Sequence, residues 1–138
     1  MKISATVRNG NGHNEIELST NGRLSALSIP PRTTGFGSSA NGGELLFLAS
    51  ATCYVNDIYR EAEKRKITIS EVEVEVSGEF GAEGEGAQGI VYTASVSADA
   101  DKEALIELMK HTDDVAEIHN TLRNKTEVRL AKANGSVF

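Results

Sequence analysis

The strongest constraint on the fold is one long segment, residues 43–66, which has the composition of a single continuous helix. At 1.5 Å per residue it would span roughly 36 Å. Residues 45–55 are apolar or small on every face, whereas residues 56–66 are charged apart from a stripe formed by Ile58, Tyr59 and Ala62. A helix whose first half is apolar on every face is typical of the centre of a domain or of a contact with a partner subunit, and the sequence leaves both alternatives open.

Short strands and turns are predicted before this helix. Alternating apolar side chains mark three segments, and Asn-Gly sequences within residues 9–12 and 21–22 separate them, which is typical of hairpin turns. Pro30 and Pro31 end the strand character, because proline lacks the amide donor that a central strand requires. Residues 32–43 then form a loop rich in glycine, serine and threonine.

After the helix, residues 71–76 alternate glutamate and valine, which predicts a strand with its carboxylates in solvent and its valines inside. Phe80 is expected to share the inner face, and residues 81–89 to form a mobile loop. A second alternation predicts the antiparallel partner strand. Its inward-facing residues are Ile90, Tyr92, Ala94 and Val96. Because ligands for calcium or magnesium converge from loops, a carboxylate row along one strand favours a solvated face over a metal site.

The remaining segments predict two helices and a last strand. Residues 102–111 have the pattern of an amphipathic helix capped by Asp101. Thr112 is expected to cap a second, shorter helix. Residues 126–131 are expected to close the fold as a strand. Its inward-facing residues would be Val128 and Leu130.

Composition and order of elements predict one α+β domain over residues 1–138, with antiparallel strands around the long helix. The net charge is −6 and the longest basic run is Lys64-Arg65-Lys66, so no nucleic-acid partner is expected. No apolar run approaches the ~20 residues of a membrane-spanning helix, so no membrane partner is expected either. A single cysteine without an export signal predicts a cytoplasmic location.

Two motifs resemble cofactor or metal sites, and neither fits its context. Residues 84–89 match a dinucleotide-binding fingerprint, but that mechanism needs a helix after the glycines, and a strand is predicted there. Glu83 and Glu85 would also repel phosphate. The three histidines are isolated and lack metal-ligand spacing with Cys53. Neither a cofactor nor a metal is therefore expected.

Cys53 is the only cysteine of the chain and the only strong nucleophile in the long predicted helix. The thiolate is the reactive form of cysteine, and an apolar site raises the thiol pKa. Cys53 is therefore either a nucleophile or a small buried apolar side chain. The residues around it leave both alternatives open.

Two stretches resemble the OsmC/Ohr family, whose members include thiol-dependent peroxidases that act on organic hydroperoxides. The first leads through a glycine-rich loop into the cysteine helix, and its matching residues are Pro31, Arg32, Gly35, Phe36, Gly37, Asn41 and 44–53. The second leads from that helix into a strand, and its matching residues are Asp57, Ile58, Glu61, Lys64, Arg65 and 72–80. The order of predicted elements also fits the family along nearly the whole chain.

The resemblance implies an intertwined homodimer with two active sites at the subunit interface, which would explain the apolar half-helix. It also implies that Cys53 is the peroxidatic cysteine, whose thiolate attacks the O–O bond of a small-molecule hydroperoxide and becomes a sulfenic acid. In active members a second cysteine on a later helix then forms a disulfide with it. Ala116 takes that place here, so a cycle would need an external thiol reductant.

The family also places an arginine and a glutamate beside the thiol, where they stabilise the thiolate and orient the peroxide. Arg32, in the loop before the helix, is the arginine candidate, and Arg8 is a weaker one. The glutamate position falls on Gly43, and Glu44 follows it. Glu44 is nine residues from Cys53 and would reach the site only if the chain were still a loop there.

Two further residues bear on the reactivity of Cys53. Asp57 lies one helical turn away and would raise the thiol pKa unless an arginine neutralises it. His119, on the later helix, could carry a proton, or it could be an exposed or interface histidine. Arg32 could likewise be a solvated loop cation, and Glu44 a favourable first-turn carboxylate at a helix N-terminus.

The sequence thus leads to one function and to alternatives. The first is an OsmC-like enzyme of peroxide stress defence with peroxiredoxin activity, in which Cys53, Arg32 and Glu44 reduce organic hydroperoxides with an external thiol. The second is a non-catalytic dimer that binds a small apolar ligand or senses redox state, and the third is a structural relic. A Cys53 pKa below about 8.5 would favour the enzyme, and a raised one the alternatives.

Overall fold

The computed structural model describes residues 1–137, which divide into two compact units, residues 1–46 and the part from Phe47 onward. The prediction of an α+β fold with antiparallel strands and a long helix is confirmed. The long helix, α1, runs over Gly42–Lys64, within two residues of the predicted bounds. None of the helices in the described residues combines the length and the apolar composition that a membrane crossing requires.

The first unit contains an antiparallel sheet built from two hairpins. Its strands, in the order in which they pair, are β1 (Ile3–Gly10), β2 (His13–Thr20) and β3 (Arg23–Ala26). Both predicted hairpin turns are present. Asn21 and Gly22 have φ angles of 50° and 80°, which a tight two-residue hairpin turn requires and which asparagine and glycine tolerate. A bridge between Pro31 and Ser38 then closes the loop before α1.

The second unit contains the predicted hairpin, formed by β4 (Ile69–Phe80) and β5 (Ala87–Ala98). On β4 the valines are half-buried and the glutamates between them are exposed, as the alternation predicts. Two helices follow within the described residues, α2 (Lys102–Val115) and α3 (Glu117–Arg123). The carboxylate of Asp101 accepts a hydrogen bond from the amide of Ala104 at 2.8 Å, so the predicted cap of α2 is confirmed.

The core of the second unit lies where α1 packs against α2 and the β4–β5 hairpin. Tyr54, Ile58 and Ala62 are spaced four residues apart on α1 and therefore share one face of the helix. They pack with Leu108 of α2, and each of the four side chains is at most 2% exposed. The phenol of Tyr54 donates a hydrogen bond to the carbonyl of Met109 at 3.0 Å, which joins α1 to α2.

The charged half of α1 does not lie wholly in solvent. Glu61 is 3% exposed, and its carboxylate accepts hydrogen bonds from Lys64 at 2.9 Å and from Arg60 at 3.1 Å. These hydrogen bonds, that of Lys64 first, lower the pKa of Glu61 to about 2. The buried carboxylate is therefore ionised and paired, which is how a charge is tolerated beside a core.

The expectation that Thr112 caps a helix is wrong. Thr112 lies inside α2, is fully buried, and its hydroxyl donates to the carbonyl of Leu108 at 2.8 Å. Because the hydroxyl bonds back to the preceding turn, it does not compete for the amides that follow, and the helix continues to Val115. The backbone of Ala116 is extended, with φ −68° and ψ 108°, and this residue separates α2 from α3.

The predicted strand over residues 126–131 is also wrong. This segment pairs with no strand in the described residues, and Val128 and Leu130 are 94% and 84% exposed. An extended segment gains ladder hydrogen bonds only beside another strand, so its alternating pattern alone does not make it part of a sheet.

Several apolar side chains are more exposed than predicted. Leu48 is 57% exposed, so the first half of α1 is not buried all round, and Tyr59 is 43% exposed. Phe80 and Ile90, expected inside, are 50% and 38% exposed near the connecting loop of the hairpin. The loop of this hairpin is shorter than predicted, because β5 begins at Ala87.

Candidate functional site

The thiol of Cys53 lies half-buried on α1 between two carboxylates. Its Sγ is 3.5 Å from Oδ2 of Asp57 and 3.7 Å from Oε2 of Glu117, so the thiol can donate a hydrogen bond to either. Helical geometry accounts for Asp57, because residues four apart share a face. Glu117 is the first residue of α3 and reaches the thiol across the fold. The site is thus a thiol with two proton acceptors.

Arg60 joins the two carboxylates. Its guanidinium donates to Oδ1 of Asp57 at 2.9 Å and to Oε1 of Glu117 at 3.4 Å. Asp57 is 5% exposed, so its charge needs such a partner. The sequence predicts that Asp57 raises the thiol pKa unless an arginine neutralises it. Arg60 pairs with Asp57, yet the charge of Asp57 still raises the pKa of Cys53.

The surroundings keep the thiol protonated. Burial raises the pKa of Cys53 most, and the charge of Asp57 raises it further, whereas the backbone amide of Ile118 lowers it. Burial and the hydrogen bond with Glu117 raise the pKa of Asp57, and the same hydrogen bond lowers the pKa of Glu117. The predicted direction of the Asp57 effect is confirmed, and thiolate is the minor form of Cys53 at neutral pH.

The same three side chains form a cluster that could hold a metal ion. Sγ of Cys53 and one oxygen each of Asp57 and Glu117 lie within 4.8 Å of one another. However, Arg60 already pairs with both carboxylates, and a metal would require the thiolate that this environment disfavours. The arrangement fits a thiol that shares protons with carboxylates better than a metal centre.

Arg32 and Arg8, the predicted arginines, belong to the first unit, whereas Cys53 belongs to the second. The amide of Arg32 donates to the carbonyl of Gly37 at 3.0 Å. The side chain of Arg32 lies against Gly37, and a Cβ atom at residue 37 would be 3.1 Å from Nε of Arg32. The φ angle of Gly37 is 105°, which favours glycine. Arg8 forms an exposed ion pair with Glu15 at 3.5 Å on the neighbouring strand.

Glu44 lies in the first turn of α1, so the loop that would let it reach the thiol is absent at this point. Its carboxylate accepts from the amide of Asn41 at 2.9 Å, and Oδ1 of Asn41 accepts from the amide of Glu44 at 2.8 Å. This reciprocal pair is a capping box, which satisfies two amides at the helix start. The catalytic roles of Glu44 and Arg32 stay predictions.

Sequence reasoning missed Arg60 and Glu117 as neighbours of Cys53. Arg60 could have been found, because it lies three residues from Asp57 on the same helix and residues so spaced contact each other. Glu117 is 64 residues from Cys53 and no local pattern joins them. That contact depends on how α3 packs on α1.

His119 is buried, 8% exposed, so the expectation of an exposed histidine is wrong. Its ring lies 4.7 Å from that of Tyr92 in an edge-to-face contact and 6.1 Å from that of Tyr54. Burial lowers the pKa of His119, and the charge of Arg123 lowers it further, so the ring is neutral at neutral pH.

The fold and the thiol site together define an α+β protein that holds a single cysteine on a long helix beside antiparallel strands. Residues 35–131, more than half of the chain, match the family described as OsmC-like protein. The chain therefore belongs to the OsmC-like family, as the sequence resemblance indicated. None of the curated protein sequences matches the chain significantly.

Solved structures share the fold at low sequence identity. An OsmC-like protein from Mycoplasma pneumoniae has a TM-score of 0.60 and 19% identity, covering 88% of this chain and 86% of its own. An OsmC-like hydroperoxide resistance protein from Jannaschia sp. has a TM-score of 0.58 and 17% identity, and the match covers 99% of this chain and 97% of the Jannaschia chain. The organic hydroperoxide resistance protein OhrB of Bacillus subtilis has a TM-score of 0.54 and 22% identity, and the match covers 89% of this chain and 91% of OhrB.

Proposed function

We propose that this protein reduces organic hydroperoxides with the thiol of Cys53 and an external thiol. The main support for this proposal is the position of the thiol, whose Sγ lies 3.5 Å from the carboxylate of Asp57 and 3.7 Å from that of Glu117. A half-buried thiol needs a base to become a thiolate, and Asp57 and Glu117 are within reach of its proton. Family membership and the hydroperoxide resistance proteins of the same fold support the substrate class.

The proposed reaction consumes one hydroperoxide and two external thiols. Cys53 loses its proton to solvent through the Asp57–Glu117 pair, and its sulfur attacks the terminal oxygen of the hydroperoxide. The O–O bond breaks, the remaining oxygen takes up a proton and leaves as an alcohol, and Cys53 becomes a sulfenic acid. A first external thiol then forms a mixed disulfide with release of water, and a second restores the Cys53 thiol and leaves as a disulfide.

The chain itself has no cysteine with which to resolve the sulfenic acid, since Cys53 is its only one. The external thiol is therefore a required partner in this proposal, and the reducing cytoplasm is the compartment that supplies it. Arg32 is proposed as a further contributor on the strength of the family resemblance. The resemblance also proposes Glu44, but the helix formed at Glu44 removes the condition under which it would reach the thiol of its own chain. Arg60 is proposed to hold Asp57 and Glu117 in place, because it donates to both.

A homodimer is also proposed. The first unit exposes apolar side chains on its strands, with Ile3, Val7 and Leu24 each more than 60% exposed. In the second unit Leu48 is 57% exposed on the apolar half of α1. Exposed apolar residues in such number favour a contact with a partner, and the family resemblance indicates a second copy.

One observation favours the alternative function, a non-catalytic dimer that binds a small apolar ligand or senses redox state. The raised pKa of Cys53 makes the thiol a slow nucleophile at neutral pH. A slow reaction with peroxide suffices for a sensor, whereas defence against peroxide stress requires turnover. The two functions therefore differ in the rate at which Cys53 reacts.

The oxidation rate of Cys53 is expected to rise with pH. Only the thiolate attacks, and burial raises the pKa of Cys53, so the rate should increase about tenfold per pH unit between about pH 6 and the thiol pKa. The measurement is loss of cumene hydroperoxide on mixing with fully reduced protein, without added reductant, so that Cys53 is the only thiol present.

Cys53→Ser provides the background rate at each pH. A rate that is constant from about pH 6 upward would mean that thiolate is already the main form of Cys53. That result would contradict the raised thiol pKa that burial and Asp57 produce. Absence of hydroperoxide loss at every pH would overturn the proposal and favour the ligand-binding alternative.

A further inference from the structure

A cavity of about 150 Å³ lies in the second unit between α1, the β4–β5 hairpin and α3. Its apolar lining comes from Val76, Ile90 and Leu122, together with Tyr92. A cavity of about this volume in another protein admits a benzene ring. Cys53 is not among the lining residues, so the cavity is separate from the thiol.

Two buried polar side chains also line this cavity, Ser50 from α1 and His119 from α3. They are 3% and 8% exposed. Among residues 1–137, the buried side-chain polar atoms without a hydrogen-bond partner are Oγ of Ser50 and both ring nitrogens of His119. Buried polar atoms are nearly always paired, so their coincidence in one cavity indicates a place where something else pairs them.

The chemistry of the two side chains defines what can pair with them. A neutral imidazole has one donor and one acceptor, and the hydroxyl of Ser50 can act as either. The edge-to-face contact with Tyr92 holds the His119 ring in position, with the centroids 4.7 Å apart. A hydroxyl group matches this pair, because it donates to one side chain while it accepts from the other.

An anion fits less well. Arg123 also lines the cavity, but its guanidinium donates to Oδ1 of Asp113 at 2.6 Å and to Oδ1 of Asn120 at 3.2 Å. Its charge is therefore already paired with the carboxylate of Asp113. A carboxylate ligand would offer only acceptors and would bring a second negative charge beside Asp113.

We propose that this cavity binds a small uncharged molecule in which an apolar body of about six heavy atoms carries one hydroxyl group. The hydroxyl lies between Ser50 and His119, and the apolar body contacts Val76, Ile90 and Leu122. This site does not depend on whether Cys53 reacts with hydroperoxides, and its ligand is bound without being consumed.

Phenol is the probe that matches this description, and NMR of the His119 imidazole during a titration reports its binding. We expect a saturable shift of His119 with phenol. Benzene, which lacks the hydroxyl, and benzoate, which carries a charge, should bind at least about tenfold more weakly. Ser50→Ala and His119→Phe should each weaken phenol binding by about fivefold or more, measured by calorimetry. Cys53→Ser should leave phenol binding unchanged, which separates this site from the proposed reaction.

Ser95→Ala and His13→Phe are the matched controls, since Ser95 and His13 are exposed and do not line the cavity. Circular dichroism verifies the fold of each variant, and Ser50→Ala alone decides the test if His119→Phe does not fold. Shifts that stay linear up to the solubility of phenol would mean that water alone pairs Ser50 and His119, and would overturn the proposal. Equal affinity for benzene and phenol would overturn it as well, because the hydroxyl would then not be recognised.

Discussion

Replacing Cys53 by serine is expected to reduce thiol-dependent consumption of cumene hydroperoxide by at least about 100-fold, to the rate of the reductant alone. The chain contains no second cysteine that could take over the reaction. A serine hydroxyl at this position keeps the size of the side chain but is not deprotonated by a neighbouring carboxylate. The measurement is steady-state hydroperoxide loss with dithiothreitol as the external thiol.

The matched control for this substitution is Thr52→Ser, because Thr52 is the neighbouring residue of α1 and is exposed. This variant should retain the rate of the unaltered protein. If Cys53→Ser turns over as fast as the unaltered protein, the thiol is not the reacting group, and the apolar cavity of the second unit becomes the site to explain.

Leu108→Ala should lower the free energy of unfolding by about 3 kcal/mol, within the range measured for buried leucines in cores. Leu108 is fully buried and packs against Tyr54, Ile58 and Ala62 of α1. The truncation leaves a cavity at the centre of the second unit. Urea denaturation, followed by circular dichroism, measures the change.

Leu130→Ala is the matched control, since Leu130 is 84% exposed and its truncation should change stability by less than about 0.5 kcal/mol. A loss of less than about 1 kcal/mol for Leu108→Ala would show that the packing of α2 on α1 is not the core of this unit. A large loss for Leu130→Ala would show that the C-terminal segment is ordered by a contact, for which the proposed partner subunit is the candidate.

Elements defined by local sequence patterns were predicted well. The α1 helix is continuous because residues 42–64 lack proline, and strand β4 follows from strict alternation of valine and glutamate over residues 71–76. The turn at Asn21 and Gly22 needs a left-handed backbone, which these two residue types adopt easily. In each case the determining interactions are between residues close in sequence.

Elements decided by long-range packing were not predicted. The hydroxyl of Thr112 can cap a helix or bond to the preceding turn, and complete burial of the side chain accompanies the second choice. Val128 and Leu130 alternate like strand residues, but a strand forms only where another strand is available. A local pattern carries no information about the distance to such a partner.

In the candidate site, too, contacts within one helix could be predicted from the sequence, whereas contacts between helices could not. Cys53, Asp57 and Arg60 lie on one helix, and the contact of Asp57 with the thiol follows from their spacing. Glu117 and the buried position of His119 depend on the packing of α3, which the sequence does not specify locally. Glu44 has the capping role that its place in the first helical turn favours.

Reaction of the reduced protein with one equivalent of cumene hydroperoxide, followed by mass spectrometry, tests most directly whether Cys53 is a peroxidatic thiol. The proposal predicts that the protein gains the mass of one oxygen atom, that the peptide containing Cys53 carries it, and that excess dithiothreitol removes it. An unchanged mass at high pH, where the thiolate is most abundant, would contradict the proposal. So would oxygen added only to the two methionines of the chain.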